Sequence, residues 1–367
     1  MTKNNHVGTA APGCPAECNS AALRPSGCEG EPVLSEAEGS LSRQPAGRRR
    51  YAKDRVWQYT GELCSAGQPG AAILTWALVL GLLLSLTIFA PLASAQSFNA
   101  TRAMQYTREV VAFGARPIGS ANHKKLENYI LSHLKGDSVE DDAFVADTVE
   151  GKFPVRNIIA KFPGTRHGII VIAGHYDTNY PLRNTGYVGA NDGGSSTAIL
   201  LELANQLRGK KRDGYSVWLL WTDGEEAVRN WSTSDSLYGV RHLAEKWQQD
   251  GTLKRIKAFL LADMIGDADL NIERDSDSTP WLEDLVYQAA SNLGYQSHFF
   301  GRTIPVADDH LPFVERGVPS ADLIDLDYGY GNVFHHTPQD TLDKVSPKSI
   351  EIVGLVILET VRLLDKK

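Results

Sequence analysis

Acidic and imidazole side chains occur in short clusters beside apolar segments of this 367-residue chain. The densest cluster is Asp223-Gly224-Glu225-Glu226, directly after the apolar run 217–221. Adjacent carboxylates that leave a buried strand need a cation or a shared proton, so they could supply a metal ligand and a base. The other clusters are His175-Tyr176-Asp177, Asn191-Asp192-Gly193-Gly194, Asp263, Asp308-Asp309-His310 and His335-His336. Several acids and imidazoles that reach one crevice predict a metal site.

Taken singly, most of these residues also have a structural explanation. Asp192 precedes a helix-like stretch, where a capping role would account for it equally well. Asp177 lies two positions from His175, so on an extended segment it is expected to support that imidazole. The recurrence of the clusters favours a site. We expect each cluster up to Asp263 to follow a strand directly, and carboxyl ends of parallel strands converge on one crevice.

The segments that must position these clusters are strand-like runs that alternate along the chain with helix-like stretches. Strand-like runs cover residues 157–162, 168–173, 216–221, 257–262 and 321–326. Helix-like stretches cover residues 195–207, 237–248, 281–293 and 346–364, with a further helix near 100–113. Alternating strands and helices predict one α/β domain, a three-layer sandwich whose mixed, mostly parallel central sheet has helices on both faces.

The first 95 residues differ in composition from the rest. Residues 1–70 lack periodicity and are rich in Gly, Ala, Ser, Pro and Glu, which predicts a disordered leader. Residues 71–95 are uncharged, follow a basic cluster at Arg48-Arg49-Arg50 and end in Ala93-Ser94-Ala95, which indicates a signal peptide or a membrane anchor. We therefore expect a catalytic domain at 96–367 that is periplasmic, secreted or held outside the membrane.

The predicted catalytic domain is acidic and lacks cysteine. It contains 29 Lys and Arg against 37 Asp and Glu, a net charge of −8. This balance argues against nucleic acid as a partner, because nucleic-acid binding depends on basic surface. The cysteines Cys14, Cys18, Cys28 and Cys64 all precede residue 96, so neither a disulfide framework nor thiol chemistry is expected in the domain.

From about Gln105 onward, the chain resembles the zinc aminopeptidase superfamily and, within it, the glutaminyl-peptide cyclotransferases. The superfamily features are His175-Tyr176-Asp177, Asp192, Glu225-Glu226, Asp263 and His336. Longer segments point to the cyclases, namely residues 223–227, Trp231-Ser232, 235–244, 308–313 and 316–319. Two positions depart from that pattern. His335 stands where similar animal cyclases carry tryptophan, and Met264 also suits the peptidase branch.

The resemblance implies a role for each matching residue. Asp192, Glu226 and His336 would hold one Zn²⁺. Glu225 would shuttle a proton, with Asp263 and Asp308 completing an acid network. Trp231 and His335 would contact the substrate, since two adjacent histidines cannot easily both bind one ion.

The implied activity is conversion of an N-terminal glutaminyl residue of peptides or proteins to pyroglutamate, with release of ammonia. The alternative is an aminopeptidase with two zinc ions, in which His175 and Asp263 hold the second ion and Asp192 bridges the two. Asp177 would then support His175 from behind. A binding domain without catalysis is a third hypothesis, which the intact set of candidate ligands and base disfavours.

Overall fold

The computed structural model describes residues 98–367, which belong to one compact unit built on a six-stranded sheet. The strands of the chain are β1 Ser138–Thr148, β2 Gly151–Phe162, β3 Gly164–His175, β4 Arg212–Thr222, β5 Ile256–Asp263, β6 Ile272–Asp275, β7 Phe299–Ile304 and β8 Ser320–Ile324. The main sheet has the order β1-β2-β4-β3-β5-β8, while β6 and β7 form a small parallel pair.

The sheet is mixed and mostly parallel in its centre, as the sequence predicts. Strand β3 pairs in parallel with β4 and with β5, and β5 pairs in parallel with β8. The hairpin β1–β2 is antiparallel and joins the sheet through an antiparallel pairing of β2 with β4. Strand β1 is not predicted from the sequence. Only two of its residues, Asp142 and Ala146, are buried, so its sequence does not show the alternating apolar pattern of a strand with one buried face.

Helices cover both faces of the sheet. They are α1 Ala100–Val111, α2 Ala121–His133, α3 Gly194–Leu207, α4 Tyr238–Gln249, α5 Pro280–Leu293, the short α6 Leu311–Val314 and α7 Pro347–Leu364. Along β4, Leu219 and Trp221 pack with α1, α2, α3, α5 and α7, whereas Trp218 and Leu220 pack with α4 and α6. Because strand side chains alternate between faces, this division gives the predicted three layers.

The parallel strands end together at one edge of the sheet. Strand β3 ends at His175, opposite Thr222 at the end of β4, and β5 ends at Asp263. Asp192 is different. The prediction that it follows a strand directly is wrong, because residues 176–193 form a long loop between β3 and α3. The same edge receives Asp192 through this loop rather than through a strand.

No helix within residues 98–367 is long and apolar enough to cross a membrane. The predicted leader at 1–70 and the predicted signal peptide or anchor at 71–95 lie outside the described residues.

We expect a chain that starts at Gln96 to fold and to keep its activity, because all the candidate site residues lie within residues 98–367. The expected result is a cooperative thermal unfolding transition and turnover equal to that of the full chain. Both are measured on the purified, zinc-supplemented proteins. An insoluble or inactive product would contradict the proposed domain boundary.

Candidate active site

One imidazole lies between two carboxylates at the end of β3. The Nε2 atom of His175 is 3.0 Å from Oδ1 of Asp192 and 3.1 Å from Oδ1 of Asp263. All three side chains are buried. Burial lowers the pKa of His175, but Asp263, Asp177 and Asp192 more than reverse this effect, so its pKa lies well above the ordinary value. The group could hold a metal ion or, without one, a protonated imidazole.

A second imidazole gathers a separate pair of carboxylates. The Nε2 atom of His336 is 3.2 Å from Oε1 of Glu226 and 3.3 Å from Oδ2 of Asp192. The amide of Asn179 donates to the other Glu226 oxygen at 2.8 Å, and the hydroxyl of Tyr187 donates to Oδ2 of Asp192. Asp192 therefore faces both imidazoles, one with each oxygen.

The donors around His336 fit zinc in type and spacing. Zinc prefers imidazole nitrogen and carboxylate oxygen in tetrahedral geometry, where bonds of 2.0–2.1 Å separate neighbouring donors by about 3.3 Å. The separations of 3.2 and 3.3 Å from His336 match this value. The separations of 3.0 and 3.1 Å from His175 are ordinary hydrogen-bond lengths. Asp192, Glu226 and His336 could therefore serve as a ligand set, and His175, Asp192 and Asp263 form a second group that could hold an ion.

Strained backbone occurs at two places on the site. Met264 has a φ of 48° and His336 has a φ of 51°, values that residues other than glycine rarely adopt. Each such residue costs on the order of 1–3 kcal/mol, so the surrounding packing must hold it in place. Met264 directly follows Asp263, and His336 is itself a candidate ligand. Both strained residues therefore lie where the backbone positions a side chain of the site.

Glu225 is buried beside the ligand cluster without belonging to it. Its Oε2 atom lies 3.9 Å from Nδ1 of His175, which has no hydrogen-bond partner among the described residues. Burial raises the pKa of Glu225 well above its ordinary value, and Asp308 and Glu226 add to the effect. Burial and then Asp263 likewise raise the pKa of Asp308 well above its ordinary value. Such shifts are typical of groups that exchange protons during a reaction.

Asp177 lies beside His175, as the sequence predicts, but is not hydrogen-bonded to it. Its Oδ1 atom is 3.7 Å from Nδ1 of His175, too far for a hydrogen bond. Instead, its two oxygens accept the backbone N–H groups of Glu225 at 3.2 Å and Glu226 at 3.3 Å. Asp177 therefore fixes the turn that carries the two glutamates, because the turn leaves their amides without a strand partner.

These groups face a cavity of about 330 Å³. Its lining includes Trp231, Val306, Ile324, Leu326 and His335 together with the charged residues. The His335 ring lies 3.9 Å from the His336 ring, and burial followed by the His336 charge lowers its pKa. Nitrogen atoms of the two histidines and an oxygen of Asp192 lie within 4.8 Å of one another, so His335 could also reach a metal ion, a role that the sequence does not predict for it.

Known proteins resemble this chain in sequence and in fold. Residues 157–361 match the model of peptidase family M28. The glutaminyl-peptide cyclotransferase of Drosophila melanogaster is 31% identical over 270 residues, which cover 66% of this chain and 75% of that protein. The chain belongs to family M28.

Solved structures place this M28 chain beside glutaminyl cyclases. A glutaminyl cyclase from an Acidobacteriales bacterium is 51% identical, with a TM-score of 0.73 and coverage of 76% of this chain and 98% of that chain. A Zn-dependent exopeptidase from Parabacteroides distasonis is 26% identical, with a TM-score of 0.66 and coverage of 75% and 100%. Within M28, the chain therefore lies in the glutaminyl cyclase branch.

Several residues that support the candidate site through hydrogen bonds are not predicted from the sequence. Asp340 accepts the backbone N–H groups of Asn191 at 2.8 Å and Asp192 at 3.2 Å. The Asn191 side chain in turn bonds the backbone of Met264 and Gly266. These contacts are between residues far apart in the sequence, so no local spacing could reveal them.

Arg116 is a further buried residue that supports the site. Its guanidinium is fully buried and donates to backbone carbonyls of Tyr176, Val188, Gly189 and Asp192, all in the loop that delivers Asp192. Burial alone lowers its pKa, and no carboxylate lies within 4.0 Å of it among the described residues. The loop is thus held by a cation bonded to backbone dipoles.

Arg116→Met should destabilise the protein by about 3 kcal/mol, because hydrogen bonds to charged groups are worth about 1.5–3 kcal/mol each and the freed carbonyls stay buried. We expect zinc affinity to fall as well, since the loop carries Asp192. Denaturant unfolding and zinc titration measure the two effects. Arg208→Met, which removes a partly exposed guanidinium bonded to Asp137, is the matched control. Equal effects of both substitutions would contradict this role for Arg116.

Proposed function

We propose that this protein is a zinc-dependent glutaminyl-peptide cyclotransferase, which converts N-terminal glutaminyl residues of peptides or proteins to pyroglutamate and releases ammonia. The observation that carries the proposal is Glu225, a buried carboxyl beside a zinc-like donor set but outside it. The 51% identity to a glutaminyl cyclase favours the same chemistry here.

Asp192, Glu226 and His336 would hold the zinc ion. The chemistry that zinc supplies when bound is Lewis-acid polarisation of the side-chain amide carbonyl. Tyr187 and Asn179 orient two of these ligands through their hydrogen bonds to Asp192 and Glu226. The substrate glutaminyl residue would lie in the cavity of about 330 Å³, between Trp231 and His335.

Glu225 would move the proton that the reaction must transfer. The α-amine nitrogen bonds to the side-chain amide carbon, and the bond from that carbon to the amide nitrogen breaks. Glu225 accepts a proton from the α-amine and delivers it to the departing nitrogen, which leaves as ammonia. General acid–base help of this kind accelerates a reaction by about 10²–10⁴-fold.

Asp263 and Asp308 would limit the negative charge of the buried carboxyl groups around Glu225. Burial and then Asp263 raise the pKa of Asp308 well above its ordinary value, and because several buried carboxylates cannot all be charged, Asp308 and Asp263 would share a proton. His175, which contacts Asp263 at 3.1 Å, would compensate the remaining charge. In this arrangement His175 and Asp263 support the reaction without binding metal.

The direct test is incubation of the purified, zinc-loaded protein with Gln-initiated peptides. We expect each peptide to lose one ammonia, measured by mass spectrometry and by an ammonia assay, while its peptide bonds stay intact. Matched peptides that begin with asparagine or alanine should be unchanged. Absence of ammonia release from all Gln-initiated peptides would refute the proposed activity.

The second candidate is an aminopeptidase with two zinc ions. It is favoured by the close grouping of His175, Asp192 and Asp263, and by the similarity to a Zn-dependent exopeptidase. This activity would release free amino acids from peptides without glutamine. The same incubation separates the two candidates, because amino-acid analysis detects that product.

We also infer that the catalytic domain is exported. The basic cluster at Arg48-Arg49-Arg50, the apolar stretch 71–95 and Ala93-Ser94-Ala95 support this inference. Mass analysis of the protein from its native host would test it. A mature chain that begins near Gln96 indicates a cleaved signal peptide, an intact chain in the membrane fraction indicates an anchor, and an intact cytosolic chain contradicts export.

A further inference from the structure

A groove of about 510 Å³ lies next to the candidate active site and takes no part in the proposed chemistry. Its walls come from β1, from the loop before α4, from the first turns of α4 and from α6. Residues far apart in the sequence thus build one depression on the same side of the molecule.

The groove adjoins the active-site cavity. Trp231 and Ala307 line both spaces. Trp231 is 42% exposed, so part of the wall between the two spaces faces solvent. Whatever leaves the cavity past Trp231 enters the groove, and a substrate bound by its N-terminal residue must leave the cavity with the rest of its chain.

The groove offers apolar contact at its surface. Val145 on β1 is 62% exposed, and Trp231 is also exposed, although both are residue types that gain from burial. The Phe144 ring stacks on the His242 ring with centroids 3.8 Å apart, and both rings line the groove. Ser232 and Thr233 add exposed hydroxyl groups, which can bond a peptide main chain.

The charges of the lining nearly cancel, with two arginines against three acids, one of which is paired with a lysine outside the lining. Arg241 and Arg316 stand against Glu245 and Glu315, and the acid Asp147 pairs with Lys152 at 2.7 Å. A groove with balanced charge does not select its occupant by net charge. It instead fits an extended chain through apolar side chains and main-chain hydrogen bonds.

We propose that this groove binds the residues of the substrate that follow its N-terminal glutamine, so that the enzyme acts best on peptides and protein N-termini several residues long. The inference rests on the proposed cyclase function. An extended chain advances about 3.3–3.6 Å per residue, so each residue added after the N-terminal glutamine carries the peptide further from the cavity.

The first experiment compares Gln-initiated peptides of two to six residues, all with neutral alanine or leucine after glutamine and with amidated C-termini. We expect kcat/KM to rise by about tenfold with length, mainly through a lower KM, which is the effect of about 1.4 kcal/mol of added binding. Because the groove charges balance, the gain should change little between low and high salt.

The second experiment blocks the groove with Val145→Arg. Val139→Arg is the matched control, since Val139 is also exposed, lies on the same face of β1 and does not line the groove. We expect the ratio of kcat/KM for the six-residue and two-residue peptides to fall about tenfold in Val145→Arg and to persist in Val139→Arg. Thermal unfolding of both variants checks that the fold is intact.

The outcomes separate the inference from the function on which it rests. No ammonia from any peptide refutes the cyclase function itself. Cyclisation that does not depend on length overturns the groove assignment and leaves the function standing. An equal loss of the length effect in both variants also overturns the assignment. A third outcome also overturns the assignment: the parent protein shows no dependence of kcat/KM on peptide length, and Val145→Arg changes the oligomeric state. The groove would then be an interface between two copies of the chain.

Discussion

Glu225→Gln should leave zinc content and melting temperature unchanged while kcat falls by at least about 100-fold, the lower end of general acid–base contributions. The amide has nearly the same shape as the carboxyl, so the packing around it persists. It cannot accept a proton from the substrate amine, however. Because Glu225 lies outside the proposed ligand set, the loss should fall on turnover and not on metal binding.

The neighbouring residue provides the control for this experiment. Glu226→Gln should lose zinc affinity together with activity, because the Glu226 carboxylate lies 3.2 Å from Nε2 of His336 in the proposed metal site. Zinc titration and steady-state kinetics on the two variants give opposite patterns if the roles are right. Parallel loss of zinc and activity in Glu225→Gln would show that the two glutamates have exchanged roles.

The sequence predicts the centre of the fold because its strands are apolar runs. The parallel strands β3, β4 and β5 are buried on both faces, and their carboxyl ends carry the clusters that composition makes conspicuous. Strand β1 lies at the edge of the sheet, and both β1 and helix α2 are missed because they carry many exposed polar residues. Periodicity reports burial, so elements that are mostly exposed leave a weak signal.

The candidate site is predictable in its residues but less so in its contacts. Asp192, Glu226 and His336 are brought together as expected, although they lie on different loops. Asp177 lies at ion-pair distance from His175, but its hydrogen bonds go to the backbone of the Glu225–Glu226 turn, which the sequence does not predict. Spacing along a strand gives the direction of a side chain but not which backbone amides the fold leaves unpaired.

A buried ion pair between His123 and Asp223 is another contact that the sequence does not predict. The Nε2 atom of His123 on α2 lies 2.6 Å from Oδ1 of Asp223, the residue that begins the tetrad. Asp223 also accepts the backbone N–H of Arg156 at 2.7 Å, and the His123 ring stacks on Tyr176. The tetrad is therefore anchored from a helix about 100 residues earlier. Nothing in the local pattern around His123 marks this role.

The number of zinc ions per chain separates the two candidate enzymes most sharply. The cyclase proposal expects one tightly held zinc in the purified protein, measured by elemental analysis after exhaustive dialysis. The peptidase alternative requires two. The donors around His336 have the spacing of a tetrahedral site, and the group His175, Asp192 and Asp263 is where the peptidase would hold its second ion.

Substitution of the two histidines tests which imidazole is a ligand. His336→Ala should leave only two protein ligands, so we expect zinc to be lost on dialysis. His175→Ala should keep one zinc at saturation, with affinity weakened by about 10–100-fold, as is typical when a residue that supports a ligand is removed. Here the supported ligand is Asp192, whose Oδ1 lies 3.0 Å from His175. Two zinc ions in the parent protein, one of them lost in His175→Ala, together with free amino acids released from peptides lacking glutamine, would overturn the cyclase proposal in favour of the peptidase.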